Sequence, residues 1–184
     1  MSGMPRGHRL MWGTVPVVPT SYIQDVWHSA IEFMPADAVA QIDNIVLSTG
    51  VIYTAVRYPA GATANAICKH AWGRYEAAAP GLEYEGRIYW VTDNANVANT
   101  VDWSWFNRGI AAGASLDAIP GAGSVIPQVS AGANLLNTRS SAFAYDGADP
   151  GNGVINLINI VRAGDLMPGD AWLLGVRLSV RYSL

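Results

Sequence analysis

The final stretch DAWLLGVRLSVRYSL, Asp170 to Leu184, alternates between apolar and polar positions. Trp172, Leu174, Val176, Leu178, Val180 and Tyr182 fall on every second residue with Arg177, Ser179 and Arg181 between them, the period of a half-buried strand. VIYTAVRYP, Val51 to Pro59, mixes β-branched and aromatic residues and is closed by Pro59 and Gly61, so it predicts a second strand. GRIYWVTD places Ile88 and Trp90 on one face and Tyr89 and Val91 on the other. TVDWSWF groups Val101, Trp103 and Trp105 opposite Asp102 and Ser104. Joined by the polar DNANVAN, these two segments predict adjacent antiparallel strands.

Further along, SSAFAYDG predicts a short strand, GADPGNG a turn, and VINLINIVR a strand pairing with the closing one across AGDLMPGD. Before these, DVWHSAIEFMP predicts a strand, or a short helix followed by a strand, ended by Pro35. From Ala60 to Gly81 the pattern does not choose between a short helix and an irregular excursion, with Ala77 to Ala79 favouring helix and Pro80 stopping it. Gly109 to Gly132 is rich in Gly, Ala and Pro, and GAGSVIP within it reads as a flexible loop. Short strands separated by Gly and Pro turns, with no long helical period, predict an all-β sandwich or barrel.

Residues 1–24 carry Pro5, Pro16 and Pro19 with Gly3, Gly7 and Gly13, a composition that resists both helix and central strand. They are expected to form an extended N-terminal arm, leaving 25–184 as the sandwich domain. Trp12, Val17 and Val18 are large apolar residues on such an arm and call for a partner surface.

At 184 residues the chain fits one domain that can bury roughly 70% of its unfolded surface. Charged residues make up 14%, against roughly 25% in ordinary soluble domains, so much of the surface is neutral and suited to lie against other subunits. The net charge of -3 and a single lysine, Lys69, offer no basic stripe for a phosphate backbone, so nucleic acid is not an expected partner. No apolar run approaches the roughly 20 residues of a membrane helix, and the N-terminal segment lacks the apolar centre of a signal peptide. The expected place of synthesis and residence is the cytoplasm.

Candidate chemistry is sparse. His8, His28 and His70 do not share a ligand spacing, so neither a metal site nor a cofactor is expected. There is no G-x-S-x-G elbow, and GAGSVIP lacks the lysine of a phosphate loop. Glu83 and Glu85 share one face of a strand but come from one segment, whereas glycosidase carboxylates usually face each other from different strands. DGADPGNG has the oxygens of a calcium loop without the closing bidentate glutamate. Cys68 is the single cysteine and reads as a small buried hydrophobe. Seven tryptophans and eight tyrosines would suit a sugar-stacking surface, but the alternation assigns Trp90, Trp103, Trp105 and Trp172 to the core. Arg177 and Arg181, on the polar face of the last strand, are candidates to meet carboxylates of a neighbouring subunit or simply keep a surface strand soluble.

GRIYWVTDNANVANTVDWSWFNRGIAAGASLDA, followed later by GVINLINIVRAGDLMPGDAWLLGVRLSVRY, resembles the jelly-roll structural domains of tailed-bacteriophage virions, found in capsid decoration proteins, head fibres and tail-fibre tips. The matching residues are Trp90, Val101 and Trp103, then Ser115 to Ala118, then Gly169, Asp170, Leu174, Val176 and Arg177. The likeness covers roughly the C-terminal 100 residues; the first 80 match nothing in that pattern, and Gly109 to Gly132 is longer and richer in glycine. It implies an antiparallel β-sandwich, jelly-roll-like and non-enzymatic, that forms a homotrimer. The resulting expectation is a virion structural protein that decorates the phage head by docking on the major capsid protein or another virion protein. The alternative is a fibre-tip or carbohydrate- or receptor-binding module that reads glycans through exposed aromatics.

Overall fold

The structure is a computed structural model describing residues 11–12, 15–16, 21–70, 83–115, 124–143, 146–147, 155–163 and 165–183. Its strands are β1 (Met11–Trp12), β2 (Val15–Pro16), β3 (Ser21–Ser29), β4 (Met34–Pro35), β5 (Gln41–Val46), β6 (Ile52–Tyr58) and β7 (Ala64–His70). Then follow β8 (Glu83–Thr92), β9 (Thr100–Ile110), β10 (Ser124–Val129), β11 (Asn137–Phe143), β12 (Asp146–Gly147), β13 (Ile155–Arg162) and β14 (Ala171–Ser183). The first sheet runs β10-β9-β13-β7-β4, with β12 beside β9; the second runs β11-β8-β14-β6-β5, with β3 beside β14. Among the described residues all pairings are antiparallel except the short β12 contact with β9. The fold is therefore an antiparallel β-sandwich of jelly-roll type, as the strand pattern and the resemblance imply.

The core lies between the sheets. Val101, Trp103 and Trp105 of β9, Ile158 and Ile160 of β13 and Ala66 and Cys68 of β7 meet Val56 and Tyr58 of β6, Ile88 and Trp90 of β8 and Leu173, Val176 and Leu178 of β14. Tyr58 and Trp103 pack edge to face at 5.1 Å, and Trp103 and Trp90 at 5.8 Å.

That aromatic contact corrects the expected hairpin. β8 and β9 belong to opposite sheets, because Trp90 and Trp103 bury each other by facing across the sandwich rather than lying side by side. Their connection is shaped by Asn side chains: Asn94 Oδ1 accepts from the Asn96 amide at 2.8 Å, and Asn96 Oδ1 from that of Ala98 at 2.8 Å. β13 and β14 likewise lie in opposite sheets rather than forming a pair.

Their crossover is clamped by Arg162, which is fully buried. Its Nε and Nη2 donate to Asp165 Oδ2 at 2.9 Å and Oδ1 at 2.7 Å. Nη1 donates to the carbonyls of Tyr58 at 2.9 Å and Gly169 at 3.0 Å, and Nη2 also to that of Met167 at 3.1 Å. All five guanidinium donors are thus satisfied. Asp165 also accepts from the backbone amides of Asp102 and Met167, each at 3.1 Å.

Three segments differ from the sequence expectation. The undecided Ala60 to Gly81 region contains the strand β7, whose inward residues Ala64, Ala66 and Cys68 are too small to mark the alternation but are wholly buried. The supposed loop GAGSVIP enters β10, an edge strand, where the missing amide of Pro127 costs no ladder bond. In the N-terminal stretch, β1 and β2 pair with each other, and β3 already begins at Ser21, so the sheet extends into the residues read as arm.

The closing strand departs in a more consequential way. A register shift between Leu173 and Gly175 breaks the alternation, so that Leu173, Val176 and Leu178 face the core while Trp172 packs outside with Ile45, Ala55 and Val91, flanked by Leu174. Trp90, Trp103 and Trp105 occupy the main core as expected; Trp172 is buried, but on the opposite face of its sheet.

Replacing Arg162 by Met should lower stability by about 3–5 kcal/mol in chemical denaturation, since Asp165 is left buried without its counter-charge; Asp165→Asn added to that variant should restore part of the loss. Burial, with the charge of Asp37 as a lesser cause, pushes the Tyr58 hydroxyl well above its ordinary value of 10.0. Its protonated form is therefore favoured by folding: the contribution is complete below that value and is lost as pH rises beyond it. Denaturation midpoints measured across this range should fall for the wild type and fall less for Tyr58→Phe.

Candidate functional site

The outer face of the second sheet carries the most developed arrangement of exposed aromatic and polar side chains. On β3, Asp25, Trp27 and Ser29 point outward while His28 points into the sandwich. Cross-strand registers align Ser140 of β11, Arg87 of β8, Arg177 of β14 and Trp27 of β3 in one row. The next row is Thr138, Tyr89, Gly175 and Ser29.

Trp27 leans from its own row over Gly175: a methyl group there would sit 2.4 Å from the indole Cζ2. Its ring meets Tyr89 edge-on, with centroids 5.0 Å apart. The indole is held on two sides yet remains 50% exposed. Gly175 faces outward by alternation with the core-facing Val176 and Leu178, and its missing side chain makes this seat where a Cβ would lift the ring.

Polar groups surround the aromatic pair. Arg87 Nε donates to Ser140 Oγ at 2.6 Å, and its Nη2 lies 3.7 Å from Glu85 Oε1. Arg177 Nη1 lies 3.6 Å from Asp25 Oδ2, and Ser179 Oγ donates to Asp25 Oδ1 at 2.5 Å. Arg177 Nε is buried and has no hydrogen-bond acceptor among the described residues. The face thus offers a flat apolar surface beside planar donors and acceptors already oriented by one another.

Of the residues singled out from sequence, Arg177 belongs to this face, where its Nη1 lies 3.6 Å from Asp25 of the same chain. The backbone of Arg181 pairs with Ile23 and Glu83, and its side chain lies outside the described part. Trp12 pairs with Val15 in the β1–β2 ribbon, and Val17 and Val18 fall outside the described residues. Glu85 is on the outer face against Arg87, whereas the side chain of Glu83 and most of DGADPGNG are not described.

Sequence reasoning missed Trp27. The signal was present: Asp25, Trp27 and Ser29 alternate as the polar side of a strand, and a tryptophan on a polar side is a displayed one. Cys68 is buried as expected, its thiol pushed up to about 12 by burial and by the charge of Glu32. His28 is nearly buried between Glu32 and Cys68.

No family model matches the chain, and no curated protein does. Among solved structures, it is similar to a family 16 carbohydrate-binding module at 11% identity and TM-score 0.44, over 82% of this chain and 94% of the other. It is similar to TmCBM27, described by its mannan recognition, at 12% identity and TM-score 0.43, over 86% of this chain and 97% of the other. A third is TmCBM61, solved with β-1,4-galactotriose, at 11% identity and TM-score 0.38, over 83% of this chain and 86% of the other. None of these three is a virion protein.

Gly175→Ala should dislodge Trp27, because the new methyl would also lie 2.6 Å from the His28 carbonyl and the backbone cannot yield as a side-chain tip does. The expected result is a loss of about 1–3 kcal/mol with a changed near-ultraviolet dichroism of the tryptophans.

Proposed function

We propose that this protein is a carbohydrate-binding module and that the outer face of β11, β8, β14 and β3 is its binding surface. The observation that carries the reading is Trp27: a half-exposed indole fixed over Gly175 and against Tyr89, bordered by paired guanidinium and carboxylate groups. Sugar rings present an apolar face edged by hydroxyls. An indole supplies the stacking partner for the first, and Arg87, Arg177, Asp25 and Glu85 supply donors and acceptors for the second.

Preorganisation supports the same reading. Trp27 is already constrained by its contacts, and the ion pairs hold the polar groups on strands rather than loops, so little side-chain entropy is left to lose on binding. The function is recognition without bond making. The three modules named above are carbohydrate binders by their own descriptions. The support for this chain is its own face.

A panel of soluble polysaccharides and oligosaccharides, screened by intrinsic tryptophan fluorescence and confirmed by calorimetry, should give at least one ligand. Trp27→Ala should weaken that ligand by tenfold or more, on the order of the 0.5–1.5 kcal/mol of an aromatic contact plus its buried area, while leaving the unfolding midpoint near wild type. Full affinity in Trp27→Ala, or no binding across the panel, would remove the reading.

A further inference from the structure

On the other side of β3 from Trp27, three metal-ligating side chains converge. His28 Nδ1 lies 2.8 Å from Glu32 Oε2 and 3.5 Å from Cys68 Sγ, and the ligand atoms of all three residues lie within 4.8 Å of one another. His28 belongs to β3 of the second sheet, Cys68 to β7 of the first, and Glu32 to the 3-10 turn Ala30–Glu32 that leads from β3 to β4. His28 and Cys68 are buried, whereas the Glu32 side chain is 46% exposed.

We propose that His28, Glu32 and Cys68 form a binding site for a divalent ion of the zinc type that ties the two sheets together at one edge of the sandwich. A nucleophilic cysteine with a histidine base needs both imidazole nitrogens, one toward the sulfur and the other toward the orienting acid. Here both contacts fall on Nδ1, so the ring cannot relay a proton between Cys68 and Glu32. Donors that crowd one point have the geometry of chelation.

The separations agree. Zinc bonds of about 2.0–2.3 Å in a tetrahedron place neighbouring ligand atoms about 3.3–3.7 Å apart. The His28–Cys68 separation of 3.5 Å already meets this. Glu32, the exposed member, stands 2.8 Å from His28 and within 4.8 Å of Cys68, so its carboxylate would swing about half an ångström from the imidazole to complete the set. The other carboxylate oxygen, Oε1, accepts from the Ser29 amide at 2.9 Å, which leaves Oε2 aimed at the site. One thiol, one imidazole and one carboxylate suit zinc or its cobalt substitute, whereas calcium and magnesium prefer oxygen alone. Solvent reaches the cluster from the side of Glu32, whose side chain is 46% exposed, and on coordination the Cys68 proton passes to solvent. The sequence shows no such spacing because the donors come from two segments, 28–32 and 68, that meet only when the sheets close.

The test uses the whole chain, reduced and stripped with a chelator. Cobalt(II) should bind one ion per chain with a thiolate-to-cobalt charge-transfer band, which reports Cys68 because the chain has no other cysteine. Zinc should bleach that band and raise the unfolding midpoint of the chelator-treated protein. Glu32→Gln, at an exposed position, should retain the fold and lose about tenfold or more in cobalt affinity, and His28→Gln should lose the band. Trp27→Ala should leave the cobalt titration unchanged, which separates this site from the carbohydrate face. Absence of the band in folded protein, or a band of equal affinity in Glu32→Gln and His28→Gln, would overturn the proposal.

Discussion

The guanidinium of Arg162 is the interaction on which the two-sheet arrangement turns. It sits at the end of β13, where the chain leaves the first sheet for the second, and it binds the carbonyls of Gly169 and Met167 from the crossover and of Tyr58 from the opposite sheet. A charge this deep is costly unless every donor is met, and Asp165 meets it with both oxygens. The consequence is specificity of connection. A crossover that must present its carbonyls to one buried cation has few alternative paths.

Downstream of the clamp, Asp170 takes up the next set of bonds. It accepts from Arg57 Nε at 2.6 Å and from the Ala60 amide at 2.9 Å, while its own carbonyl accepts from Thr92 Oγ1 at 2.7 Å. Gly169 is confined as well, since a methyl there would lie 2.4 Å from Asn94 Cβ. The Gly169–Asp170 pair, one part of the resemblance to phage jelly rolls, is thus the point where β14 enters its sheet. That role belongs to the sandwich and does not depend on a virion setting.

The register shift at Leu174 then decides which side chains at the start of β14 enter the core. Were the alternation of Val176 and Leu178 continued unbroken toward the N-terminus of β14, Trp172 would face the core and Leu173 solvent. The shift exchanges those two faces and buries Leu173 against Trp90, while Gly175, on the outer face with Arg177, leaves room for Trp27. The same strand therefore closes the core and seats the aromatic. On the neighbouring strand, Trp27 and His28 are adjacent residues facing opposite ways, so β3 serves the outer face with one and the interior cluster with the other.

By itself the sequence determined the fold class, because period-two alternation with β-branched and aromatic residues has few packed solutions, and it located β6, β8, β9, β11, β13 and β14. It also placed Trp90, Trp103 and Trp105 in the core and Cys68 as a buried thiol. What it could not carry was partner choice. Alternation says which face of a strand is apolar but not which sheet the strand joins, so the β8–β9 and β13–β14 pairs came out as hairpins when they lie across from each other. Small inward residues hid β7, and a proline hid β10. The bulge in β14 left no local mark, since Trp172 to Tyr182 read as one uninterrupted stripe. Only the tertiary structure decided that Gly175 and Trp27 meet, and that His28 and Cys68, forty positions apart, share one point; both follow from strand pairing and sheet closure, which are long-range.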